Sequence, residues 1–126
     1  MTPLHLAAQS GHENVVRLLL NCDGVDVNSS TINNVIYMSF FFLIKALFKG
    51  TIPLHFAAQN GHTNVSSLLL SKAASQIAKR DFKGRTSLHF AASHGHVEMT
   101  ALFIGQGAEL NAKDNVNVLN FIFKRN

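Results

Sequence analysis

Thr2-Pro3-Leu4-His5-Leu6-Ala7-Ala8-Gln9-Ser10-Gly11-His12 decides the fold, because the chain writes this stretch three times. It returns as Ile52-Pro53-Leu54-His55-Phe56-Ala57-Ala58-Gln59-Asn60-Gly61-His62, and again as Thr86-Ser87-Leu88-His89-Phe90-Ala91-Ala92-Ser93-His94-Gly95-His96. Behind each copy, at the same offset, follows a second apolar run: Leu18-Leu19-Leu20, Leu68-Leu69-Leu70 and Leu102-Phe103-Ile104. A two-part motif repeated in this way marks supersecondary units that bury their apolar faces against one another.

The residues state what each copy builds. Pro3 and Pro53 suit the first turn of a helix, where a missing N–H costs nothing. Thr2 and Thr86 stand where a side-chain oxygen can serve as an N-cap. Leu4, Ala7 and Ala8 are three to four apart and share one helical face, and the small alanines let a second helix come close. Gly11, Gly61 and Gly95 end that helix in the left-handed conformation that glycine adopts without steric cost. Second helices are predicted over 14–21, 64–72 and 98–105, and the polar, Gly-containing stretch 79–85 turns the chain toward the next copy. The predicted fold is all-α: helix–turn–helix–hairpin units stacked as a solenoid. Three units are expected, over 1–31, 50–83 and 84–114, with an insertion at 32–49 and a degenerate tail at 115–126.

This Thr-Pro-Leu-His-x-Ala pattern, at a period of about 33 residues, resembles the ankyrin repeat, and the resemblance covers most of the chain. It implies a binding scaffold. His5, His55 and His89 match the histidine of that family's TPLH motif, whose imidazole braces neighbouring turns by hydrogen bonds. His12, His62 and His96 match its Gly-His turn, and only His94 lies outside the pattern. A metal site would need several of these to converge on one ion. A stacked array instead spaces equivalent residues one repeat apart, so they read as structural, and neither metal nor cofactor is expected.

Composition sets the outer limits. The chain has 126 residues, of which 47% are hydrophobic and 14% charged, against a typical charged share of roughly 25%. That is too apolar for a disordered chain. A net charge of +4 is a mild basic excess without the wider basic stripe of a nucleic-acid binder, so no nucleic-acid partner is expected. One cysteine, Cys22, excludes an intrachain disulfide and a Cys-rich zinc site, and suits a reducing, cytoplasmic setting. No signal peptide is legible at the start. The run 35–48, VIYMSFFFLIKALF, falls short of the about 20 apolar residues of a membrane span and contains a lysine. A span there would also separate repeats that need each other.

The repeat pattern breaks twice. His55 and His89 are 34 residues apart, but His5 and His55 are 50 apart, and the extra 16 follow Val27-Asn28. The tail after Asn111-Ala112-Lys113-Asp114 shows the same Phe/Ile/Asn/Lys character, and the two segments together hold six of the ten Phe. Two readings stay open: a hydrophobic finger at the hairpin edge with an atypical cap, or translated intron sequence. The low-complexity composition favours the second, and sequencing the spliced transcript decides. A stack freed of 32–49 is expected to differ in thermal stability from the whole chain. A start directly on the first helix, with a polar capping repeat at neither end, reads as a truncated array.

No catalytic constellation is present: no GxSxG, no Walker loop, no HExxH. Cys22, at the end of a second helix with no histidine near it in its own repeat, reads as a partly buried thiol. No enzyme is expected, and binding remains. Gln9, Ser10, Gln59, Asn60, Ser93 and His94 occupy first-helix positions that the scaffold leaves free. The richest surface is the hairpin Lys79-Arg80-Asp81-Phe82-Lys83-Gly84-Arg85, in which four basic residues surround one aromatic. Phe82 between Lys79, Arg80, Lys83 and Arg85 suits a protein partner or an acidic peptide. The bland alternative is a solvated loop. Ser66 and Thr100 replace the aliphatic seen at Val16, and each buried hydroxyl without a partner costs about 1–3 kcal/mol.

Four stretches carry a narrower resemblance: 50–62, 68–76, Lys83-Gly84-Arg85-Thr86, and Glu98-Met99 with Ile104-Gly105-Gln106-Gly107. With Ile52 in place of the usual Thr, they look like the ankyrin region of TRPN, or NompC-type, mechanosensory channels. That resemblance implies a short piece of a cytoplasmic spring at a membrane. Its partners would be cytoskeletal (microtubules) or neighbouring ankyrin repeats, and channel activity would lie elsewhere. The alternative is a stand-alone regulatory ankyrin protein that binds a soluble partner.

Overall fold

A computed structural model describes residues 1–30 and 50–115; the insertion and tail discussed above lie outside the described residues, Asn115 excepted. Among the described residues six α-helices form three pairs: α1 (Pro3–Ser10) with α2 (Glu13–Leu20), α3 (Pro53–Gln59) with α4 (Thr63–Lys72), and α5 (Ser87–Ser93) with α6 (Val97–Gly105). A 3-10 turn, Ala74–Ala78, follows α4, and no strand occurs among the described residues. The second helices begin one residue earlier than the periodicity suggests. The histidine of each Gly-His pair serves as the N-cap position, without a side-chain bond.

Each first helix starts on a histidine ring that accepts the backbone N–H three residues before it, and in α1 the bond is reciprocated. The Nδ1 atom of His5 accepts the backbone N–H of Thr2 at 3.1 Å, while Thr2 Oγ1 accepts the N–H of His5 at 3.3 Å. This is a capping box in which histidine takes the place usually held by Glu or Gln. His55 and His89 accept the N–H of Ile52 and Thr86 likewise, at 3.2 and 3.0 Å. With Nδ1 an acceptor, the proton of each ring sits on Nε2. Through that atom His5 donates to the carbonyl of Thr51 in the next unit at 2.9 Å, and His55 to that of Lys79, near the end of its own unit, at 3.0 Å.

Each first helix is followed by a glycine, and in the first two copies there are two reasons for it. Gly11 and Gly61 hold φ of 73°, a conformation unfavourable to residues with a side chain. They are also approached by the next repeat: a Cβ on Gly11 would lie 2.5 Å from the His62 ring, and one on Gly61 2.9 Å from the His96 ring. Those rings come so close because His62 Nε2 donates to the carbonyl of Gln9 at 3.0 Å and His96 Nε2 to that of Gln59 at 2.9 Å.

The pairs stack in two rows, α1–α3–α5 and α2–α4–α6. One apolar core runs through both rows. Ala7, Ala8, Ala57, Ala58 and Ala91 allow close approach, while Leu54, Leu69, Met99 and Phe103 fill the space between pairs. Burying each of the larger side chains contributes about 1.5–3 kcal/mol. Two expectations are corrected. Cys22 is exposed, because it stands beyond the last turn of α2, and its thiol donates to the carbonyl of Leu18 at 3.3 Å. Thr100 is half-buried and satisfied, donating to the carbonyl of His96 at 2.8 Å. Ser66 Oγ, by contrast, is buried and has no partner among the described residues.

Candidate partner-binding surface

The hairpin 79–85 is built around a carboxylate. Asp81 is fully buried at its side chain and accepts from the backbone N–H groups of Lys83 and Arg85 at 3.0 and 2.8 Å. Its second oxygen accepts Nε of Arg85 at 2.9 Å and a terminal nitrogen of the same guanidinium at 2.8 Å. Asp81 N–H donates to the Arg85 carbonyl and Gly84 N–H to the Asp81 carbonyl, both at 2.9 Å, with Gly84 at φ 75°. An aspartate that accepts from amides two and four residues on closes a tight turn, and the fork of an arginine satisfies its remaining lone pairs.

The turn is tied to the stack on both sides. The Arg85 guanidinium lies 4.4 Å over the Phe90 ring, and Phe90 stacks on His55 with centroids 5.2 Å apart. Burial pushes the His55 pKa down to about 4. Hydrogen bonding to the Lys79 carbonyl and the Asp81 charge oppose the shift, and the Arg85 charge adds to it. Burial also lowers His5. Both rings are therefore neutral donors near pH 7. On the other side, Arg80 donates to the carbonyls of Gly84 and Lys113, each at 2.9 Å, and lies 3.6 Å from the Glu109 carboxylate. The Lys83 carbonyl accepts the N–H of Asn115 at 2.7 Å.

The four basic residues thus divide. Arg85 and Arg80 are occupied in holding the hairpin. Among the described residues neither Lys79 nor Lys83 enters an ion pair. Lys79 is exposed and Lys83 half-buried, and between them Phe82 leaves 53% of its surface in solvent. The surface that remains available is an aromatic ring flanked by two ammonium groups on a braced turn.

The first-helix residues form a separate group. Gln59, Asn60, Ser93 and His94 lie at the C-terminal ends of α3 and α5, whereas the hairpin adjoins the N-terminal end of α5. Seven residues of helix, about 10 Å at 1.5 Å per residue, separate the two groups, so the structure does not bring the candidates together. Several are already engaged. Asn60 Nδ2 donates to the Gln9 carbonyl at 2.8 Å, Ser93 Oγ to the Phe90 carbonyl at 3.1 Å, and His94 Nδ1 to that same carbonyl at 3.0 Å. The His94 ring stacks on His96 at 6.1 Å. Ser10 is exposed, and Gln59 is half-buried with its carbonyl taken by His96.

Asp81 is the residue that reading for charge overlooks. Its position four before Arg85, with Gly84 between, was a legible sign of a closed turn. Among the described residues no group of three or more His, Cys, Asp or Glu is placed to hold a metal, and no helix is long and apolar enough to cross a membrane. A family model for ankyrin repeats, described as three copies, matches residues 33–114, and one for a single ankyrin repeat matches residues 1–32. No curated protein matches the chain.

Proposed function

Starting from the fact that this chain belongs to the ankyrin-repeat family, a family of protein–protein interaction modules, we propose that it binds an acidic protein segment through the hairpin 79–85. The observation that carries this reading is Phe82, half in solvent between two lysines that enter no ion pair among the described residues, on a turn that Asp81 and Arg80 already hold in shape. A preformed turn loses little conformational freedom on binding, so the affinity of an aromatic anchor is not spent on ordering the loop. Flanking ammonium groups add attraction and speed encounter with a negative partner.

The resemblance of 50–62, 68–76 and 83–86 to the ankyrin region of TRPN channels supports a setting for this surface: a segment of a cytoplasmic tether at a membrane, with microtubules as the acidic partner. Neighbouring genomic sequence bears on that setting. Further repeats followed by six apolar spans support the tether, and stop codons on both sides support a stand-alone regulator.

Co-sedimentation with stabilised microtubules tests both levels. The intact chain is expected to pellet. A Lys79→Ala/Phe82→Ala/Lys83→Ala variant, with its helical circular dichroism retained, is expected to bind at least tenfold more weakly. Undiminished pelleting of the triple variant removes the hairpin as the contact surface. Failure of the intact chain to pellet removes microtubules as its partner.

A further inference from the structure

The two ends of the stack are the two halves of the interface already seen twice inside it. Position by position, copies two and three bury what copy one leaves open. Phe56 and Phe90 are 4% and 6% exposed where Leu6 is 54% exposed, and Val65 and Met99 are 2% and 1% exposed where Val15 is 45% exposed. Pro53 and Ser87 are buried where Pro3 is exposed. A groove of about 300 Å³ runs between Pro3, Leu4, Leu19 and Val25 at this end.

The opposite end shows the reverse. Leu20 and Leu70 are covered by the following pair, but Ile104 is 50% exposed. Ala8 and Ala58 are buried where Ala92 is exposed. Leu88, His89, Thr100, Ile104 and Leu110 line a groove of about 270 Å³. Nε2 of His5 finds a carbonyl in the following copy, that of Thr51, and among the described residues Nε2 of His89 makes no such bond.

From this complementarity we infer that two copies of the chain associate head to tail, with the α5–α6 end of one seated on the α1–α2 end of the other. The occupant is specified by continuity with the internal interfaces, since one end offers what α1–α2 offers to α3–α4 and the other offers what α5–α6 offers to α3–α4. The polar contacts extend in the same register. His62 donates to Gln9 and His96 to Gln59, so His12 of the second copy meets the carbonyl of Ser93 in the first. His12 is exposed, and its ring makes no hydrogen bond among the described residues. The contact is heterologous: each association leaves one open end of each kind, so growth continues with concentration. It uses no residue of the hairpin surface and stands or falls apart from it.

Sedimentation velocity of the full chain over a wide concentration range tests this. The intact chain is expected to pass from monomer to dimer and longer species. Leu6→Glu closes one end and Ile104→Glu the other, and each alone is expected to stay monomeric while an equimolar mixture forms a dimer and nothing larger. Both sites are about half exposed. Should either variant lose its helical signal, Val15→Lys and Leu110→Lys, at exposed positions of the same two ends, take their place. A chain monomeric throughout overturns the inference. So does association that persists in one blocked variant alone, which marks a symmetric contact, or a mixture that restores no dimer.

Discussion

At the scale of single residues, two buried polar side chains behave in opposite ways. Asp81 has each of its carboxylate oxygens bonded, and both arms of the pair with Arg85 are short. Replacing it with Asn leaves a half-buried guanidinium facing a neutral amide, because removing one partner of a buried pair costs more than the pair contributes. Asp81→Asn is expected to lower stability by about 2–4 kcal/mol in urea titrations; a loss under half a kilocalorie would show that the turn closes without the charge. Ser66 has a buried hydroxyl with nothing to bond among the described residues, at the position where copy one carries Val16, itself fully buried. Ser66→Val is expected to raise stability by about 1–2 kcal/mol, and an unchanged urea midpoint would mean that the hydroxyl is satisfied. The sequence distinguishes these residues poorly. Ser66 and Thr100 look alike on paper, yet only Thr100 reaches back to the carbonyl four residues earlier. Asp81 reads as one more loop charge until the hairpin closes around it.

At the scale of elements, the helices were legible because local chemistry and stacking agree. Thr-Pro before an apolar face, glycine after it and a second apolar run state a helix pair without reference to anything distant. The hairpin was legible in outline only. Its basic residues are visible in sequence, but whether each faces solvent depends on the Phe90 ring beneath Arg85 and on the Lys113 carbonyl beyond Arg80. Cys22 is exposed for a similar reason, since two residues past the end of α2 its side chain already turns outward. The contacts between elements are sensitive to acid. His55 is neutral down to about pH 4 in the folded chain, whereas an unfolded histidine takes up its proton near 6.5. The unfolded state therefore binds more protons between these values. The stability that neutral His55 supplies is fully present above pH 6.5, is lost as pH falls through this window, and stops declining near pH 4. Its size is about 3 kcal/mol, and lowered His5 adds in the same direction. Urea midpoints between pH 7.5 and 4 are expected to trace this decline, and His55→Asn to flatten it. A slope that survives His55→Asn would assign it to other groups.

At the scale of the whole molecule, the interval of 50 residues between His5 and His55 leaves the stack intact. His62 still reaches Gln9, and α1 still lies on α3, because the interface is made by the faces of the helices and by the imidazole-to-carbonyl bonds of His62 and His5. The repeat was legible across that gap since the motif recurs whole on either side of it. How the two open ends complement each other was not, since exposure at Leu6 and Ile104 is a property of the assembled stack. A consequence follows from the position of that gap. Residues 1–30 carry one complete half of the first interface and residues 50–115 the other, and no described bond between the halves depends on the peptide link. The molecule is thus a natural candidate for splitting: two separately expressed polypeptides, divided within 31–49 and each fused to half of a reporter, would recombine by the same surfaces that hold the single chain together. Their affinity for one another would then measure, in units of concentration, the strength of one repeat-to-repeat contact.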